Sequence, residues 1–195
     1  MKYDIKHEYV SITSQDATHR IILVHGWGAD ADDLIPLGRD IAEKTDIKFE
    51  IISLRAPEVH PSGSGRQWYD LYPHDWIRAE HEVNKLFLTL KKFEMNNIPL
   101  KKTILFGFSQ GAAMAIDAGS KLDLGLLILC SGYPHPNWQP PNTIPPIIIS
   151  HGRMDQVVPI NASRKIYEEV KNISSNSCIF NEFDGYHQID SNLIN

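Results

Sequence analysis

The segment Gly107-Phe108-Ser109-Gln110-Gly111 limits what this chain can fold into more than any other stretch. It follows the apolar run Thr103-Ile104-Leu105-Phe106 and leads into Ala112-Ala113-Met114-Ala115. A strand that turns at once into a helix can hold a serine at the apex of a strained turn. Glycine two residues to either side lets strand and helix pass without Cβ clashes. The pattern therefore predicts a nucleophile elbow, with the Ser109 hydroxyl projecting from its tip.

The rest of the chain supplies the scaffold such an elbow needs. Strand-like runs recur at 5–12, 20–25, 49–54, 103–106, 124–130, 147–150 and 178–183, and several are continuously apolar, as strands covered on both faces are. They alternate with helical patterns near 33–44, 75–95, 109–121 and 160–170. This alternation implies an α/β fold with a mainly parallel central sheet of about seven strands and helices on both faces. The first run mixes polar and apolar residues and is followed by a short polar turn at 14–18, which predicts an antiparallel edge strand. With 195 residues, 42% of them hydrophobic, the chain fits a single domain spanning 1–195.

Charge and cysteine usage narrow the partners. A net charge of −5, with no basic run longer than Lys91-Lys92 or Lys101-Lys102, lacks the footprint of a nucleic-acid binder. No segment approaches the roughly eighteen apolar residues of a membrane span, and the start at Met1-Lys2-Tyr3-Asp4 does not read as a signal peptide. The expectation is a cytoplasmic protein with no integral membrane association. Cys130 and Cys178 each sit in apolar strand-like runs, where buried free thiols are expected in preference to a disulfide.

A serine hydroxyl is a weak nucleophile near neutral pH, so Ser109 requires a base, and the base requires a carboxylate to fix its tautomer and stabilise its cation. In the α/β-hydrolase arrangement the acid and then the histidine follow the serine, on loops after later strands. Ile147-Ile148-Ile149-Ser150 runs into His151-Gly152-Arg153-Met154-Asp155, which places Asp155 on such a loop. The run 178–183 is followed by Asp184-Gly185-Tyr186-His187, which nominates His187 as base. Asp184 and Asp190 are rival acids, disfavoured by their closeness in sequence to His187. His151 precedes Asp155 and is expected to pack beneath the acid loop. Surface or capping roles are expected for His7, His19, His74, His81 and His135.

Acyl transfer also needs donors aimed at the developing oxyanion. The backbone N–H of Gln110, just after the nucleophile, is one candidate. The run Ile21-Ile22-Leu23-Val24 leads into His25-Gly26-Trp27-Gly28, where glycines allow close backbone approach, and the N–H of Trp27 is the second. Two long irregular segments, 55–73 and the proline-rich 132–146, follow strands and are expected to line a pocket or form a lid. Substrate-binding roles are assigned to Trp68, Tyr69 and Trp138 there, and Trp68, Trp76 and Trp138 would form a pocket wall or a dimer surface.

Five ordered motifs together resemble the phospholipase/carboxylesterase group of α/β-hydrolases, which includes acyl-protein thioesterases and small carboxylesterases. They are His25-Gly26-Trp27-Gly28, Arg55-Ala56-Pro57 with Gln67-Trp68-Tyr69-Asp70, Gly107 to Ala112, His151 to Asp155 with Val158-Pro159, and Gly185-Tyr186-His187. The resemblance spans nearly the whole chain. It implies a Ser109, Asp155, His187 triad, oxyanion amides from Trp27 and Gln110, and hydrolysis of carboxylic esters or thioesters with no cofactor and no metal. Members of the group commonly continue into a longer terminal helix, whereas eight residues follow His187 here. One face of the last strand is accordingly expected to be less covered, or covered by a partner subunit. Trp27, where a small or aliphatic residue is usual, would narrow the acyl side and favour short-chain substrates. Long-chain acyl protein or lysophospholipid substrates are the alternative. A serine peptidase or acyltransferase on the same scaffold, or a non-catalytic binding module, are the readings of other kinds.

Overall fold

Continuously apolar strands have no face for water, so they stack in the middle of the molecule and leave amphipathic helices to cover them. The computed structural model describes residues 2–5 (backbone), 8–173 and 178–193. In chain order its elements are β1 (Lys2–Ile5), β2 (Tyr9–Thr13), β3 (His19–Val24), α1 (Ala31–Glu43), β4 (Phe49–Leu54), β5 (Glu58–Val59), β6 (Arg66–Gln67) and α2 (Trp76–Glu94). They continue as β7 (Thr103–Phe108), α3 (Gln110–Gly119), β8 (Leu126–Cys130), β9 (Ile147–Gly152), α4 (Asn161–Val170) and β10 (Cys178–Phe183). Eight strands form one sheet in the order β1-β2-β4-β3-β7-β8-β9-β10, and β5 and β6 form a separate two-stranded ribbon. Pairs from β4 through β10 are parallel, while β2 runs antiparallel to β4 and β1 to β2.

One expectation needs correction here. The run read as one strand over 5–12 is two strands, β1 and β2, paired antiparallel with Ile5 opposite Val10, so the expected sheet of about seven strands has eight. His7 lies outside the described residues. The polar turn at 14–18 leads from β2 to β3, with β4 between them in the sheet, and the antiparallel pair β1-β2 forms that edge.

Helices α2, α3 and α4 cover one face, with Val83, Leu86, Leu90, Ala115, Ile116 and Ile166 packed over Ile22, Leu105, Leu127 and Ile149. Helix α1 covers the other, setting Leu34 and Ile35 on Val10, Ile21, Leu23 and Ile51. Carboxylates fix where two of these helices begin. Asp30 and Asp33 form a capping box on α1, and Asp75 accepts from the Arg78 N–H at the start of α2, caps that typically contribute about 1 kcal/mol each. Coverage thins at the far edge: every residue of β10 is at least partly exposed, Ile179 by 61%.

Chain order reverses beside β3, which is flanked by β4 on one side and β7 on the other. The loops after β3 and β7 thus emerge side by side at the carboxyl edge, the position where open α/β sheets place their ligands.

Candidate active site

Ser109 follows β7 with φ 53° and ψ −119°, a conformation that side chains with a Cβ rarely adopt. The flanking glycines are required by contact. A Cβ on Gly111 would lie 2.1 Å from the Val24 carbonyl oxygen, and one on Gly107 2.5 Å from the Gly111 oxygen. Ser109 sits at the N-cap position of α3, yet its hydroxyl makes no capping bond. It donates instead to His187 Nε2 at 3.0 Å.

The other side of that imidazole is equally defined. His187 Nδ1–H donates to Asp155 Oδ2 at 2.7 Å, so the three residues form one line of hydrogen bonds. Asp155 is buried and its Oδ1 accepts from the N–H groups of Val157 and Val158, both at 2.9 Å. Burial alone would raise its pKa, but the bonds from His187, Val158 and Val157 outweigh it and hold the carboxyl below its ordinary value. The rival acids are elsewhere: exposed Asp184 pairs with Arg153 Nη1, and Asp190 accepts from Asn181 Nδ2.

His151 lies fully buried under the acid loop. Its Nε2 is 2.8 Å from the Val158 carbonyl oxygen, an acceptor only, and 3.1 Å from Asp155 Oδ2. Burial pushes its pKa down, against smaller opposing effects of Val158 and Asp155, and keeps the ring neutral.

The loop after β3 reaches the same place, since a Cβ on Gly26 would stand 3.3 Å from Ser109 Cβ. Among the described residues the Trp27 N–H has no main-chain acceptor, and the Gln110 N–H, first in its helix, has no intrahelical one. His25 holds the loop: its Nε2 accepts from the Ala56 N–H at 3.1 Å and its Nδ1–H donates to the Gly26 oxygen at 2.8 Å. Burial lowers its pKa and keeps this tautomer neutral. The Trp27 indole donates to Gln67 Oε1 at 2.8 Å and meets the His60 ring edge-on at 4.0 Å.

The three residues assigned to substrate binding are all buried. Trp68 and Tyr69 are buried core residues whose main chain clamps the Gln110 side chain, Trp68 N–H donating to its Oε1 at 3.1 Å and its Nε2 donating to Tyr69 O at 2.8 Å. Trp138 is removed from the site. Its buried indole lies 3.4 Å from Ser120 Oγ, past the far end of α3 and so about 15 Å from the elbow. It anchors the proline-rich loop to the core.

His135, expected at the surface, is 6% exposed and lies between Asp117 and the Tyr69 hydroxyl, both at 3.0 Å. The Tyr69 hydroxyl in turn meets Tyr133 at 2.7 Å, and burial pushes Tyr133 up to about 12. This network, the Gln110 clamp and the His25 latch were not anticipated from sequence, although His25 immediately follows a core strand. Cys130 and Cys178 are free thiols. Among the described residues no group of three or more His, Cys, Asp or Glu side chains could hold a metal ion.

A family model described as phospholipase/carboxylesterase matches residues 5–195. The chain belongs to that family. As a member of the phospholipase/carboxylesterase family it is an ester-cleaving enzyme, a serine hydrolase. Relatives include acyl-protein thioesterase 1 of Candida albicans, 26% identical over 90% of this chain and 87% of the relative. The Saccharomyces cerevisiae protein of the same name is 27% identical over 90% of this chain and 85% of its own. Among solved structures, esterase PE8 is 26% identical with a TM-score of 0.80, covering 91% of this chain and 88% of the other. A carboxylesterase from Mesorhizobium loti, 17% identical, shares the fold with a TM-score of 0.79 over 95% and 90% of the two chains.

Proposed function

We propose that this enzyme hydrolyses short-chain carboxylic esters or thioesters through an acyl-enzyme on Ser109. The observation that carries the reading is the unbroken line Ser109–His187–Asp155, at 3.0 and 2.7 Å. His187 takes the Ser109 proton as the hydroxyl attacks the acyl carbonyl, then passes it to the leaving alcohol or thiol. Asp155 fixes the tautomer and balances the imidazolium. The Trp27 and Gln110 amides receive the oxyanion of each tetrahedral intermediate, and water, activated by the same histidine, releases the acid.

The short-chain preference is supported by the Trp27 ring, pinned by Gln67 and flanked by His60 and by Tyr72 at 5.8 Å, which occupies space beside the oxyanion loop. A long-chain acyl-protein thioesterase is the second reading, favoured by the names of the fungal relatives. The two separate on a series of p-nitrophenyl esters and matched thioesters. A short-chain enzyme peaks early, whereas a steady rise in kcat/KM beyond about C10 marks a long channel, since each accommodated methylene adds roughly 0.8 kcal/mol. The same reading treats residues 1–195 as one cytoplasmic domain. Its supports are the continuous eight-stranded sheet and the absence, among the described residues, of any helix long and apolar enough to cross a membrane.

A further inference from the structure

A cavity of about 510 Å³ is walled by the carboxyl end of β4, the start of β2 and helix α2, and none of Ser109, Asp155 and His187 lines it. Its size is that of a small-molecule site. Tyr9, Leu54, Trp68, Leu86 and Phe93 give it apolar walls.

The charge lining those walls is predominantly positive. Glu82 also faces the cavity, but its carboxylate is already held by Arg78 and Lys85 at 3.0 Å each, which leaves exposed Glu8 as the other acid. Three cations on the wall have capacity to spare. The Arg66 guanidinium bonds only the main-chain oxygens of Ala56 and Pro57 among the described residues. Lys92 is exposed and makes no ion pair among them. Arg55 gives its outer nitrogens to Asp30 and Asp32, but its buried Nε has no acceptor. An apolar body with one anionic head satisfies both sets of groups.

The wall behind the cavity is the support of the oxyanion loop. Ala56 N–H donates to His25 Nε2 at 3.1 Å and the Trp68 indole donates to His25 O at 2.9 Å. The Arg66 main chain bonds both Gly28 N, at 2.9 Å, and Ala29 O, at 2.8 Å. A carboxylate on Arg66 would compete with Ala56 and Pro57 for the same N–H groups, one residue from the donor that latches His25.

We infer that this cavity binds a medium-chain carboxylate, longer than the short-chain acids that the proposed reaction releases, and that its occupant bears on the loop carrying the Trp27 amide. The second half rests on the proposed esterase mechanism; the binding half does not.

Calorimetry with decanoate on the Ser109→Ala protein tests binding without turnover. One equivalent binds, decanol and inorganic phosphate bind about tenfold or more weakly, and Thr89→Trp, which fills the cavity from α2, and Lys92→Glu each weaken decanoate about tenfold. Binding left intact by both substitutions, equal binding of decanol, or none at all overturns the site. For the coupling, saturating decanoate changes the rate at which a fluorophosphonate labels Ser109 in wild type by about threefold or more, and not in Thr89→Trp. An unchanged rate in wild type overturns the coupling. A protein that binds decanoate yet never labels retains the site and loses the esterase reading.

Discussion

His151 Nε2 lies 3.1 Å from Asp155 Oδ2, the same oxygen that receives His187 Nδ1–H at 2.7 Å. One carboxylate therefore faces two imidazoles, and burial keeps the first of them neutral so that the negative charge stays available to the second. A donor to a carboxylate typically contributes about 1.5–3 kcal/mol. His151→Leu is expected to lower kcat about tenfold with little change in KM, while His151→Gln, whose amide N–H reaches a similar position, keeps most of the rate. Steady-state kinetics on the pair checks this; equal losses in both would argue for packing alone.

The Gln110 side chain is held at both ends by the main chain of Trp68 and Tyr69 in a fully buried position. Gln110→Ala removes both partners and leaves a buried N–H and C=O unmatched, each costing about 1–3 kcal/mol. Urea denaturation should register a loss of several kcal/mol, about 2–6 by that estimate, even though the Gln110 backbone amide remains in place. A midpoint within error of wild type would show that the clamp contributes nothing.

Strain at the elbow belongs to the backbone and not to the hydroxyl, since φ 53° is unfavourable for any residue with a Cβ. Ser109→Gly and Ser109→Ala both abolish the nucleophile, but the glycine variant is expected to be more stable than the alanine variant by about 1 kcal/mol. Chemical denaturation of the two proteins side by side reads the difference, and an alanine variant of equal or greater stability would contradict it.

His25 and His151 are both held below the ordinary histidine value of 6.5, chiefly by burial. The unfolded chain then binds more protons than the folded one as pH falls through that value, so stability drops on acidification. The opposite end of the window belongs to Asp155. Its folded pKa is depressed below 3.8, so its contribution is present above that value and lost as pH falls through the lower folded one. Urea midpoints should decline from about pH 7 to pH 5, with a shallower slope in His151→Gln. A flat profile in wild type would mean that neither ring is held neutral.

How far the sequence reveals this arrangement depends on the range of the interaction that decides each part. The elbow was legible because its constraint is local: strand, turn and helix occupy consecutive residues, and the two glycines are demanded by contacts with Val24 and Gly111 oxygens. Asp155 and His187 were legible as residues on the loops after β9 and β10, an arrangement fixed by the order of the strands. The setting of Trp138 is not legible, because its indole meets Ser120 behind α3, and an aromatic residue in a proline-rich loop looks the same whether it faces substrate or core. The same holds for His135, whose partners Asp117 and Tyr69 lie 18 and 66 positions away. The split of the first strand is hidden because the polar triplet Lys6-His7-Glu8 contains neither glycine nor proline to mark a turn.

The proposed chemistry stands on activation of Ser109 by His187. Fluorophosphonate labelling of wild type, Ser109→Ala and His187→Ala, with mass spectrometry of the modified peptide, reads that activation at the serine itself. Stoichiometric modification at Ser109 in wild type, absent in Ser109→Ala and slowed by at least about a hundredfold in His187→Ala, is the predicted result. A folded wild-type protein that does not label, or one whose Ser109 labels equally fast without His187, would contradict it.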